Sequence, residues 1–212
     1  CHPTATFEID DTGFRELLAE NGDVLTTPKE IGVEFRVPSA GNNVAFTSLW
    51  DNYPDSLTIP LSGEASHIYL LMAGTTNHMQ WGMENARLTA RYTDGTTSEL
   101  PLVNPLNWAP IEQDFFTDGY AYSQPLGAEA PLRVSFDDLL VSRNILDSRA
   151  GKPMPIDPGM ELGLVRGREL KNGAGVLVDF PTDPSKTLES LTLTTLSHDV
   201  VTGIMAITLQ RP

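Results

Sequence analysis

Cysteine is almost absent. The 212-residue chain holds one, Cys1, so no internal disulfide braces it and secretion is neither indicated nor denied by pairing. Basic residues are also scarce: 14 Lys and Arg stand against 28 Asp and Glu, a formal net charge of −14. A sequence-independent grip on a phosphate backbone needs the opposite balance, which excludes nucleic acid as an expected partner. No apolar run approaches the roughly 20 residues that cross a bilayer, so no transmembrane segment is expected. The signatures of metal and nucleotide chemistry are missing too. His2, His67, His78 and His198 show no HExxH spacing, and no EF-hand pattern occurs among the acidic residues. There is no GxSxG elbow, and GRELKNGAG (167–175) has glycines but neither a GK[ST] end nor an amphipathic helix after it. No metal ligand and no cofactor are therefore assigned.

What is present is a succession of short β-type segments between Gly, Pro, Asn and Asp clusters. Ten strands are predicted, within 32–38, 43–50, 56–61, 67–74, 86–93, 97–102, 132–136, 175–181, 190–197 and 203–210. Several alternate strictly. Leu88, Ala90 and Tyr92 oppose Arg87, Thr89, Arg91 and Thr93, and Leu191, Leu193 and Thr195 oppose Thr192, Thr194 and Leu196, so one face of each is buried and the other wet. Asp94-Gly95 marks a tight hairpin, since glycine tolerates the positive φ such turns need. The expected fold is an all-β antiparallel sandwich over residues 32–212, preceded by a lead-in over 1–31. FRELLAE (14–20) is a short helix there, ending at Asn21-Gly22. Periodicity vanishes between Asn104 and Leu132 and between Arg143 and Gly173, where long loops are expected.

HIYLLMAGTTN (67–77), followed by ARLTARYTDGTTSELPL (86–102) and the Trp-bearing NPLNW (104–108), resembles the galactose-binding-like jelly roll. The closing stretch from Gly173 to Gln210, with its DPSK turn, is similar to the last strands of that family, and the likeness covers about Val33 to Arg211. LWDNYPD, IPLSG and PIEQDFFTDGYAY further resemble the carboxy-terminal accessory domain of large predicted glycoside hydrolases from bacterial polysaccharide-utilisation loci. The resemblance implies a sandwich attached to a helical α/α-barrel catalytic part, in the periplasm or at the cell surface. Cys1 fits the lipid-bearing first residue of a processed lipoprotein, and equally a boundary where a longer chain was divided.

Residue chemistry concentrates in the loop TTNHMQWGMEN (75–85). Asn77, His78, Gln80 and Trp81 place donors, acceptors and a ring within five positions, which suits a sugar: the ring meets its C–H face and the polar groups meet its hydroxyls. The plain alternative is a solvated connection with Met79 and Met83 tucked beneath. Trp108, Glu112 and Gln113 on the following long loop are candidate additions to that site, although Trp50 and Trp108 also suit core packing. Three functions remain open. The first is a non-catalytic accessory module that binds carbohydrate or supports a catalytic domain of the same or a partner chain. The second is a docking module presenting Trp108, Phe115, Phe116, Tyr120 and Tyr122 as one apolar patch. The third is a hydrolase using Glu112 and Asp114, which needs two carboxyls about 5–10 Å apart across a cleft. No residue is assigned as catalytic.

Overall fold

The computed structural model describes residues 10–50, 52–76, 80, 82–111, 113–114, 131–143, 168–169 and 172–212, with backbone alone at 113–114 and 168–169. Helix α1 (Thr12–Glu20) leads into the short strands β1 (Val24–Thr26), β2 (Glu34–Arg36) and β3 (Ala45–Ser48). The long strands β4 (Ser56–Glu64), β5 (His67–Thr76), β6 (Glu84–Tyr92) and β7 (Thr97–Val103) follow. Then come β8 (Gln113–Asp114), β9 (Leu132–Ser135), β10 (Val141–Ser142), β11 (Arg168–Glu169), β12 (Ala174–Pro181), β13 (Thr187–Thr195) and β14 (Val200–Gln210). Each of the ten strands expected from the sequence is present.

The strands form an antiparallel sandwich compatible with a jelly roll. A six-stranded sheet, β10-β9-β12-β5-β14-β3, packs on a four-stranded sheet, β4-β13-β6-β7, and two short ribbons, β1-β2 and β11-β8, flank them. The core between the sheets joins Ile68, Leu70 and Met72 of β5 and Val176, Val178 and Phe180 of β12 to Leu88, Tyr92, Leu191 and Leu193 opposite. The register depends on bulges. In β14, Val200 and Ile204 face this core; the irregularity between Ile204 and Ala206 then reverses the phase, so that Ile207 and Leu209 face it instead.

A third layer covers the other face of the six-stranded sheet. Phe14 and Leu18 of α1, four residues apart on one helical stripe, join Leu25, Phe35, Leu71, Val134, Phe136 and Leu177 in a second core, with the Phe14 and Phe136 rings 4.8 Å apart. The segment read as a lead-in thus contributes to packing, and β1 pairs with β2 across residue 31. Arg15 locks α1 down by donating to the carbonyls of Ser39 and Gly41 and to Asn43 Oδ1. Central β5 and β12 are covered on both faces, which is why they read as nearly unbroken apolar runs. Among the described residues no helix is long and apolar enough to cross a membrane.

The two motifs that carry the jelly-roll likeness meet at one end of the sandwich. The Tyr92–Gly95 turn closes through the Gly95 N–H to the Tyr92 carbonyl, with Gly95 at φ 86°. In the DPSK turn, Asp183 accepts from the Ser185 N–H and hydroxyl. Lys186 reaches across to Asp94 Oδ2 at 3.0 Å and to Thr96 Oγ1 at 2.8 Å. Hydrogen bonds from the Thr96 side chain and backbone, helped by Lys186, hold the Asp94 carboxyl at about 2. A folded-state value below the unfolded one of about 3.9 stabilises the fold above that value, and the contribution is lost as pH falls toward 2. Asp94→Asn is therefore expected to melt below wild type at pH 7 and together with it near pH 2, as read by thermal unfolding at a series of pH values.

Candidate functional site

The opposite end carries the loops. β3 stops at Ser48, β5 at Thr76, β7 at Val103 and β13 at Thr195, and these ends are brought together by the pairings Val201–Ser48, Val200–Thr76, Glu84–Val103 and Thr195–Ala86. The interior turns polar there. The buried hydroxyls of Thr47, Thr195 and Thr202 form a closed triangle, with separations of 2.8, 3.0 and 3.3 Å, that ties the two sheets together.

Of the residues expected to form a sugar site, Asn77, His78, Trp81 and Glu112 lie outside the described residues, as do Phe115, Phe116, Tyr120 and Tyr122 of the docking patch. Gln80 stands at this end. Its side-chain amide donates to the His198 carbonyl in the β13–β14 turn, and its backbone carbonyl accepts from Asn85 Nδ2 at 3.2 Å. Gln113 sits in β8, its backbone paired with Glu169, two positions beyond Ile111, whose N–H donates to the Gly74 carbonyl at 2.8 Å. Asp114 is described by its backbone alone, paired with Arg168.

Trp108 is 0 % exposed and belongs to the inter-sheet core, so its indole has no surface face for a sugar or for a docking patch. The chain after β7 turns back inward: the Gly82 N–H donates to the Asn104 carbonyl, and the Trp108 ring lies over Gly74 of β5. The glycine leaves the slot that the ring fills. Around this re-entrant turn several buried polar atoms have no protein partner: Asn85 Oδ1, both side-chain polar atoms of Asn104, Trp108 Nε1 and Gln80 Oε1. All belong to neutral amides or an indole, so the set offers hydrogen bonds without charge.

A second constellation stands on the outer face of the six-stranded sheet, near the other end of β5. His67 and Tyr69 alternate with the buried Ile68 and Leu70, and their rings lie 5.6 Å apart and 8° from parallel. His67 Nδ1 is 2.7 Å from Asp179 Oδ1, and the Tyr69 hydroxyl donates to Gln210 Oε1 at 3.1 Å. Burial, with the Asp179 charge adding to it, pushes the Tyr69 phenol above its ordinary value and keeps it a neutral donor. Sequence reading missed this pair, though its signal was present: two aromatic rings at i and i+2 share a face that ordinary alternation would leave to small polar groups. Among the described residues no three His, Cys, Asp or Glu side chains gather closely enough to hold a metal ion.

No family model matches the chain, and neither a curated protein nor a solved structure is significantly similar to it.

Proposed function

We propose that the chain is a non-catalytic β-sandwich module that binds carbohydrate at its loop-bearing end, accessory to a polysaccharide-processing catalytic domain on the same or a partner chain. On this reading it is a galactose-binding-like jelly roll working in the periplasm or at the cell surface of a bacterium. The observation that carries the reading is the uncharged polar character of this end of the sandwich: half-buried Gln80, which lies between His78 and Trp81 in the sequence, is held there against the β13–β14 turn and the buried Asn85. Uncharged donors and acceptors suit hydroxyl groups, and an indole within the adjoining loop supplies the apolar half of sugar recognition.

Affinity electrophoresis through gels containing plant or host polysaccharides tests it. Wild type is expected to be retarded by at least one, and Trp81→Ala to migrate freely while melting as wild type does. Free migration of the wild-type protein in every gel defeats the proposal.

A further inference from the structure

We infer that the outer face of the six-stranded sheet carries a second saccharide site, an open groove floored by Tyr69 that holds an extended neutral glycan chain. The inference takes its ligand class from the proposed function but places the contact elsewhere. Tyr69 is seven residues from the loop end of β5, about 23 Å along the strand, and points to the opposite side of the sheet from the inter-sheet core.

Two cavities adjoin at this ring. One, of about 630 Å³, lies between the β1–β2 hairpin and the end of β14, with Thr26, Lys29, Glu34, Thr208 and Gln210 on its walls. The other, of about 340 Å³, runs toward Asp179, Asn107 and Arg143. Tyr69 and Ile31 line both, so a ligand occupying the two contacts both side chains. Each volume lies within the range of small-molecule sites.

The lining selects the ligand. Lys29 and Arg143 stand against Glu30, Glu34 and Asp179, an excess of a single negative charge over the two cavities, and Asp179 is already engaged by His67, so the lining repels an anion and gathers too little charge to select a cation. The Thr26 hydroxyl and the Gln210 Nε2, whose Oε1 partner is taken by Tyr69, offer hydrogen bonds along a wall that also carries Ile31, Val33 and Leu209. A flat ring bordered by uncharged donors and acceptors is the surface that a pyranose, apolar on its faces and hydroxylated at its rim, complements. The ring is also held in place before any ligand arrives, by Gln210 at its hydroxyl and by His67, itself fixed to Asp179, alongside. That preorganisation lowers the ordering cost of binding.

Backbone amide NMR of the isotope-labelled chain, titrated separately with cellohexaose, xylohexaose, mannohexaose and a mixed O-glycan pool, tests the inference. Shifts are expected at Thr26, Gly32, Tyr69, Thr208 and Gln210 with at least one probe. Tyr69→Ala should weaken that binding about tenfold, while Tyr69→Phe, which keeps the ring, should stay within about threefold. Shifts confined to Gln80, Gly82, Asn85 and residues 196–199 overturn the groove and leave the loop-end reading standing. No shift with any probe overturns both.

Discussion

Trp108→Ala is expected to cost about 3–5 kcal/mol and to lower the melting temperature by about 10 °C, the range for deleting a large ring from a core. The residue is fully buried with Met72, Ala86, Leu102 and Val200 in the inter-sheet core, and it fills a slot that opens only because Gly74 has no side chain. Deletion leaves a cavity bounded by β-sheet backbone, which cannot collapse inward without breaking ladder hydrogen bonds. Trp108→Phe separates the ring from its polar atom. The indole N–H has no protein acceptor, and an unpaired buried donor costs about 1–3 kcal/mol. Its removal should offset much of the lost contact, so the phenylalanine variant is expected to melt far closer to wild type than the alanine variant. Thermal unfolding of all three decides. An alanine variant that melts with wild type would mean that the ring packs against nothing and would return it to the surface as a stacking residue.

The history of Trp108 shows what kind of information the chain displays locally. β6 and β13 are legible because each has one wet face, and Arg87, Thr89 and Arg91 advertise it. The helix is legible because Phe14 and Leu18 recur at helical spacing, and the hairpin because Gly95 must take a positive φ. None of these features depends on distant sequence. The third layer does: α1 packs on Phe136, more than a hundred residues away, and no local pattern names that partner. NPLNW has the composition of a loop, and its inward turn rests on Gly74 and Gly82, both remote from Trp108 in the chain. At the loop end, Gln80 is legible as a polar loop residue. The unpaired Asn85 Oδ1 and Asn104 amide are not, because whether such a group is buried and unpaired is decided by the assembled sheets. His67 and Tyr69 lie between these cases. Their shared face could be read from alternation, but the doubly buried strand around them masks the period.

The largest effect from the smallest change is expected at Gly74 itself. A Cβ built there would stand 2.2 Å from the Val201 carbonyl oxygen and 3.1 Å from both Thr202 Cα and Trp108 Cζ2. The nearest obstacle is backbone of the adjacent strand, so no rotamer change relieves it; β5 and β14 must move apart or Trp108 must leave its slot. Overpacking in a core costs typically about 1–3 kcal/mol and more where backbone has to move, so Gly74→Ala should lose about 3 kcal/mol or more. The gain from stiffening the unfolded chain, about 0.4–1 kcal/mol, does not offset this. Gly13→Ala is the matched control. It sits in α1, where an added Cβ meets only the Asp137 carbonyl at an ordinary 3.9 Å, and alanine favours a helix over glycine by up to about 1 kcal/mol. Chemical denaturation should therefore move the two midpoints in opposite directions, Gly74→Ala strongly down and Gly13→Ala slightly up. Equal midpoints for Gly74→Ala and wild type would contradict the close approach of β5 to β14, and with it the seat of Trp108 and the polar end of the core built above it.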